Sequence, residues 1–235
     1  MEDQLFVVGE ERNSVGAYHA GQHPYVAADG SRSRYIINGE PTSNHLALGS
    51  KGALRYEVIA RGKMAHSAYP ELGESAILKL LDALEAIRRV ELPVDPILGP
   101  STLNIGLIGG GRAPNVIPDE ATAELLIRLV EPGDSTKAAI VAAAAKHGVE
   151  AREVLCIPAV HLASAPGFKT TVVAFTTDIP AFNGAWGEPL LLGPGSIHVA
   201  HTSEERVPKR ELEECVGLYE NLVKSLIAKS LIAKS

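Results

Sequence analysis

Two adjacent carboxylates are the first residues of this chain that could do chemistry. Glu10 and Glu11 follow the apolar run Gln4-Leu5-Phe6-Val7-Val8 and the hinge residue Gly9. That run reads as a buried strand, and the C-terminal edge of an α/β sheet is where ligands and catalytic groups gather. One acid of such a pair can bind a metal while its neighbour moves a proton, because successive side chains at a strand end point in different directions. The plain alternative is that both acids open a helix, where they suit the dipole. Glu40 repeats the pattern after Tyr35-Ile36-Ile37, and Pro41 beside it cannot extend a ladder. A turn cap would account for Glu40 equally well. His201 lies in a loop after Gly193-Pro194-Gly195. Beside two strand-end carboxylates it is a third candidate ligand, and Glu with His suits zinc, cobalt or manganese rather than calcium. His66 and Asn115 are different. His66 has no carboxylate near it in sequence, and Asn115 sits between Pro114 and Pro118. Neutral donors of this kind suit a developing oxyanion.

The elements that must hold these residues fall into two textures. Residues 13–22 are expected to form a short helix, 27–30 a turn and 35–37 a strand. From Gly52 onward the order is strand (54–60), loop (61–70), helix (74–90), two strands (101–108 and 121–130), helix (134–147) and strand (149–157). That order is the ferredoxin-like split βαβ pattern, an antiparallel sheet with both helices on one face. The first texture then returns: a lead-in at 167–175, a loop at 176–178, a strand at 189–192 and an amphipathic helix from Pro208. The fold class is therefore α/β with an inserted α+β domain. The boundaries are 1–50 and 163–235 for the outer domain and 51–162 for the insert. The repeated Leu-Ile-Ala-Lys-Ser at 226–230 and 231–235 reads as a helical extension outside the functional part.

Composition narrows the function classes. The 235 residues are 46% hydrophobic, enough for real cores, and carry 28 acidic against 22 Lys and Arg residues for a net charge of −6. That balance argues against a nucleic-acid footprint. No apolar run approaches the length of a membrane span, so no membrane partner is expected. Cys156 and Cys215 are too few for a disulfide framework and neither has a His placed to activate it, which fits packing roles and a cytoplasmic location. Gly109-Gly110-Gly111 lacks the Lys-Ser/Thr of a phosphate loop.

Taken in order, Val8-Gly9-Glu10-Glu11, Gly39-Glu40-Pro41-Thr42, Gly62 to Pro70, Asn115-Val116-Ile117-Pro118 and Gly193-Pro194-Gly195 with Ala200-His201 resemble a known family. It is the zinc-dependent amidohydrolases and peptidases that include acetylornithine deacetylase, succinyl-diaminopimelate desuccinylase and glutamate carboxypeptidase. The resemblance implies a catalytic α/β domain interrupted by a lid that also makes a homodimer. It implies Glu10 as general base, Glu11 and His201 as ligands of one metal, and Glu40 as a ligand of a second. His66 is implied as an oxyanion donor supplied across the dimer, Asn115 as its neighbour at the substrate, and Arg128 as the holder of a substrate carboxylate.

The implied cofactor is Zn2+, or Co2+ or Mn2+, two per site in the full-length family. The implied main reaction is deacylation of an N-acyl amino acid in amino-acid biosynthesis. Dipeptidase or carboxypeptidase action, or a non-catalytic dimerising remnant, are the alternatives. The family's His-x-Asp pair and its bridging Asp have no counterpart here, since His19 precedes Ala20-Gly21 and His23 precedes Pro24-Tyr25. The ligand set is thus incomplete, and the expectation is a fragment of a longer gene product.

Overall fold

The computed structural model describes residues 4–24, 26 and 30–232. In chain order its main elements are α1 (Val15–Gln22), β1 (Tyr35–Asn38), β2 (Leu46–Ser50), β3 (Gly52–Arg61), α2 (Ala76–Arg88), β4 (Thr102–Gly110), β5 (Glu120–Leu129), α3 (Asp134–Ala145), β6 (Glu150–Ile157), β7 (Val160–His161), β8 (Thr170–Val173), β9 (Glu188–Leu191) and α4 (Lys209–Ile232). They form two compact units, Met1–Ser50 with Val160–Ser235, and Lys51–Ala159. The turn expected at 27–30 lies mostly outside the described residues. No helix among the described residues is long and apolar enough to cross a membrane.

The second unit is the ferredoxin-like insert. Its sheet has the order β6-β3-β5-β4, antiparallel throughout. β3 and β5 pair over their whole length, from Gly52 opposite Leu129 to Arg61 opposite Glu120. Along β5 every second residue is buried, as a half-covered sheet requires: Ala121, Ala123, Leu125, Ile127 and Leu129 face the core. Leu80, Ala83, Leu84 and Ile87 of α2 and Ile140, Ala143 and Ala144 of α3 cover that face, because their spacing of three and four puts them on one side of each helix. Ser75 caps α2 by accepting from the Leu78 N–H. Ile127 is fully enclosed in the middle of this core.

The first unit is built on parallel pairs. β1 runs parallel to β9, and β2 lies between β7 and β8, parallel to β8. Leu46, Leu190 and Leu192 are buried against Leu222 and Leu226 of α4, with Phe168 and Leu218 packed beside them. Leu226 belongs to the first copy of the repeated pentapeptide. The helix expected there is present as far as Ile232, but the structure corrects its standing as a mere extension, since Leu226 on its apolar face completes a core. β2 and β7 were not anticipated at all.

A second correction concerns the opening segment. Gln4–Val7 form no strand; Phe6 is 88% exposed and Val8 71%, and the apolar run has no ladder to join. A strand needs a neighbour to satisfy its N–H and C=O groups, and among the described residues β1 is paired only with β9. The chain turns instead: the N–H groups of Arg12, Asn13 and Ser14 all donate to the Gly9 carbonyl.

Replacing Ile127 with alanine should cost about 2–5 kcal/mol of stability, from lost burial and the residual cavity. The same truncation at exposed Ile108 on β4 should cost far less. Urea unfolding monitored by circular dichroism compares the two.

Candidate functional site

The site in the first unit is built where β1 and β9 end. Gly39 and Gly193 follow these two strands, and a Cβ on Gly193 would overlap the Gly39 and Glu40 carbonyls, so only glycine allows the strand ends to approach this closely. Thr42 then ties them together. Its Oγ1 donates to the Gly193 carbonyl at 3.2 Å and accepts from the Gly193 N–H at 3.1 Å, and its own N–H reaches the same carbonyl. Ser43 and Asn44 extend the clasp to Gly195 and Gly193. From α4, Tyr219 donates to the Leu192 carbonyl at 2.5 Å, and burial pushes its hydroxyl up to about 12. Glu211 accepts from the Gly195 N–H at 2.8 Å. Glu40 leaves β1 within this clasp, its N–H held by the Asn38 side chain at 3.1 Å.

Around Glu40 stand three more carboxylates. Burial first, and then the charges of Glu10, Asp178 and Glu11, together push Glu40 up to about 7. Burial also raises Glu10, reinforced by Asp178 and Glu11 and opposed by His201. Glu11 and His201 meet directly, Oε1 to Nε2 at 3.0 Å, with both side chains exposed. That bond keeps a proton on His201 to higher pH than a solvated imidazole would. His201 is held in a left-handed conformation (φ 62°), its N–H donating to Glu205 at 3.0 Å. The structure thus brings together Glu10, Glu11, Glu40 and His201, four residues separated by up to 191 positions in sequence.

Asp178 is the residue that sequence reasoning missed. It was read only as part of a loop, yet it is 2% exposed and neither carboxylate oxygen has a hydrogen-bond partner among the described residues. The overlooked signal was the recurrence of an acid just beyond a strand, Thr177-Asp178 after β8, as with Glu40 after β1.

A metal would need more than this cluster offers. Among the described residues no group of three or more His, Cys, Asp or Glu side chains converges to hold an ion. The donor chemistry is right, but Glu11 Oε1 and His201 Nε2, two atoms a cation would take, are engaged in one hydrogen bond with each other. The residues present do not complete a metal site.

His66, Asn115 and Arg128 belong to the second unit. His66 lies opposite Val116 in a two-residue ribbon, and the Ser67 N–H donates to the Asn115 carbonyl at 3.0 Å. The sequence motifs carrying His66 and Asn115 are therefore neighbours in space. The Ala68 N–H donates to His66 Nδ1 at 3.1 Å, which assigns the ring proton to Nε2 and leaves an outward N–H donor. Arg128 is elsewhere. It sits opposite Ala53 at one end of β5, whereas the ribbon follows from Arg61, opposite Glu120 at the other end. Eight residues of strand separate the two ends, about 27 Å. Arg128 is half-buried, and burial lowers its pKa.

Residues 48–153 match the peptidase dimerisation domain of the M20 type. The chain is 36% identical over 245 residues to a protein of Aspergillus niger described as a probable carboxypeptidase, covering 96% of this chain and 59% of the relative. It is 38% identical over 220 residues to a peptidase M20 domain-containing protein of Schizosaccharomyces pombe, covering 93% and 54%. The chain thus spans between half and three-fifths of these curated relatives' length. Among solved structures, aminopeptidase PepT of Bacillus cereus superposes with a TM-score of 0.66 at 21% identity, over 88% of this chain and 60% of that one. The dipeptidase Dug1p of Saccharomyces cerevisiae gives 0.59 at 16% identity, over 84% and 60%. These structural likenesses establish the α/β peptidase fold.

The raised carboxyls set a pH dependence. Glu40 binds its proton more tightly in the folded chain (about 7) than in the unfolded one, where a carboxyl titrates near its ordinary 4.5. The folded state therefore holds more protons between these values, and stability falls as pH rises through 7. Glu10 acts in the same direction. The chain should be more stable at pH 5.5 than at pH 8, by on the order of 1–2 kcal/mol after solvent screening, and its melting temperature correspondingly higher. Glu40→Gln should flatten the profile, which differential scanning calorimetry at the two pH values measures.

Proposed function

We propose that this chain is part of a peptidase of the M20 type, with Glu10, Glu11, Glu40, Asp178 and His201 in its active site and the second unit as lid and dimerisation domain. The observation that carries this reading is the convergence of four carboxylates and one imidazole at the strand ends. It occurs in a chain whose relatives carry peptidase names. Those names favour cleavage of small peptides, as by a dipeptidase or carboxypeptidase, over the acetylornithine deacetylase type expected from sequence motifs alone.

Glu10 is the general base and acid. It is half-buried, and its raised proton affinity suits a group that must take a proton from attacking water and return it to the leaving amine near neutral pH. His66 supplies an Nε2 N–H for the oxyanion, with Asn115 beside it. Arg128 holds a substrate carboxylate, and its place at the other end of β5 from His66 fits the two serving different copies of the active site. Peptidases of this type are generally metal-dependent. Glu11, Glu40 and His201 are the residues of this chain with the right donor chemistry, and zinc, cobalt or manganese the ions that suit them. Because they do not complete a metal site among themselves, further ligands belong to polypeptide outside these residues.

A chimera in which this chain replaces the matched region of the S. pombe relative tests the assignment. It should release free amino acids from dipeptides, and Glu10→Gln should lower kcat by about 10²–10⁴-fold with little change in KM. A chimera that hydrolyses N-acetylornithine and leaves dipeptides intact would overturn the peptidase reading.

The lid is also where a second copy docks. β4 is an edge strand of the four-stranded sheet, and it exposes Leu107 (62%) and Ile108 (58%) together with an unpaired backbone edge. Placing lysine at both positions should convert a dimer to a monomer by light scattering without lowering the melting temperature. A dimer that persists would place the interface elsewhere.

A further inference from the structure

Outside the acidic cluster, the structure places a second pair of metal-ligating side chains together. His19 lies in the last turn of α1, and His23, four residues on, follows the helix as its C-cap. Their ring centroids are 4.6 Å apart with the planes inclined at 46°, and both side chains are exposed. The turn that carries them is anchored. The His23 N–H donates to the carbonyls of His19 (3.1 Å) and Ala20 (3.2 Å). Ala17 and Ala20 are buried against Ala181 and Phe182, and Gly21 lies so close to the Ala181 carbonyl that a Cβ there would sit 2.8 Å from it. Trp186 fixes the same turn from outside, donating Nε1–H to the Ala20 carbonyl at 2.8 Å.

We propose that His19 and His23 form a two-imidazole site for a divalent transition-metal ion of the copper(II) or nickel(II) type. Two imidazole nitrogens about 3 Å apart can each approach such an ion at about 2 Å, and rings already at this spacing reach that geometry by small side-chain rotations. Water fills the remaining positions. A helix C-terminus, where the dipole is negative, favours the cation, and the anchored turn lowers the ordering cost of binding. Copper(II) binds most tightly by the general order of divalent affinities, followed by nickel(II) and zinc(II). The site is independent of the peptidase reading and shares no residue with the acidic cluster.

Trp186 provides the readout, because it is the chain's single tryptophan and touches the residue between the two histidines. The purified 235-residue chain is titrated with copper(II) chloride at mildly alkaline pH in a non-chelating buffer while indole emission is followed. A saturable one-to-one quench is expected. His19→Asn and His23→Asn should each weaken it at least about tenfold, equivalent to 1.4 kcal/mol, while the double variant Glu11→Gln/His201→Asn should leave it intact. Both histidines are exposed, so thermal melts of the single variants should match the parent and exclude misfolding as the cause. A quench unchanged in both histidine variants, lost instead in the Glu11/His201 variant, or never saturating would overturn the proposal.

Discussion

The clasp between Thr42 and Gly193 is the contact on which the candidate site depends. It joins strand ends that are 151 residues apart in sequence, using one hydroxyl as both donor and acceptor and one carbonyl shared by three N–H and O–H groups. Glycine at 193 is what allows the backbones to come so close. Two of the site's residues are hung from this junction: Glu40 departs from one side, the loop to His201 from the other, and α4 braces both through Tyr219 and Glu211. A rigid junction also explains how several carboxylates can be held near one another, since their mutual repulsion would otherwise spread them into solvent.

The charge balance at this site is unusual for a stable interior. Asp178 is enclosed with no hydrogen-bond partner among the described residues, and it adds to the raised proton affinities of Glu10 and Glu40. An uncompensated buried carboxylate costs stability unless a cationic or donor group arrives to face it. Such strain is characteristic of working sites rather than scaffolds. The insert shows the opposite economy. Its charged pairs, such as Arg55 with Glu124 and Arg152 with Glu57, are matched across neighbouring strands on the exposed face, and its core is built mainly from aliphatic side chains.

The elements most legible in the sequence were those whose stability is local or periodic. The strand at β5, the three-four spacing in α2 and the glycine that follows α3 were all read correctly, because each reflects the geometry of one short element. The opening apolar run was misread as a strand. Hydrophobicity alone does not make a strand, which requires a neighbouring edge, and no alternation in Gln4–Val8 could announce that, among the described residues, β1 pairs only with β9. The repeated tail was misjudged for a related reason, since whether Leu226 is surplus or core depends on what α4 lies against. Strands as short as β7 carry too few residues for a pattern to form.

The sequence by itself determined the residue types available for chemistry and their order: two adjacent acids, a third after Tyr35–Ile37, and a histidine beyond a Gly-Pro-Gly turn. It also determined the class of fold, because periodicity and turn residues are properties of short segments. Only the tertiary structure decided which of these residues meet. It joined Glu11 to His201, enclosed Asp178 beside Glu10 and Glu40, and set His66 and Asn115 together while leaving Arg128 at the far end of its strand. Those outcomes depend on contacts between segments 49 to 190 residues apart in sequence, and on burial that shifts proton affinities. Neither is encoded in any single stretch of chain.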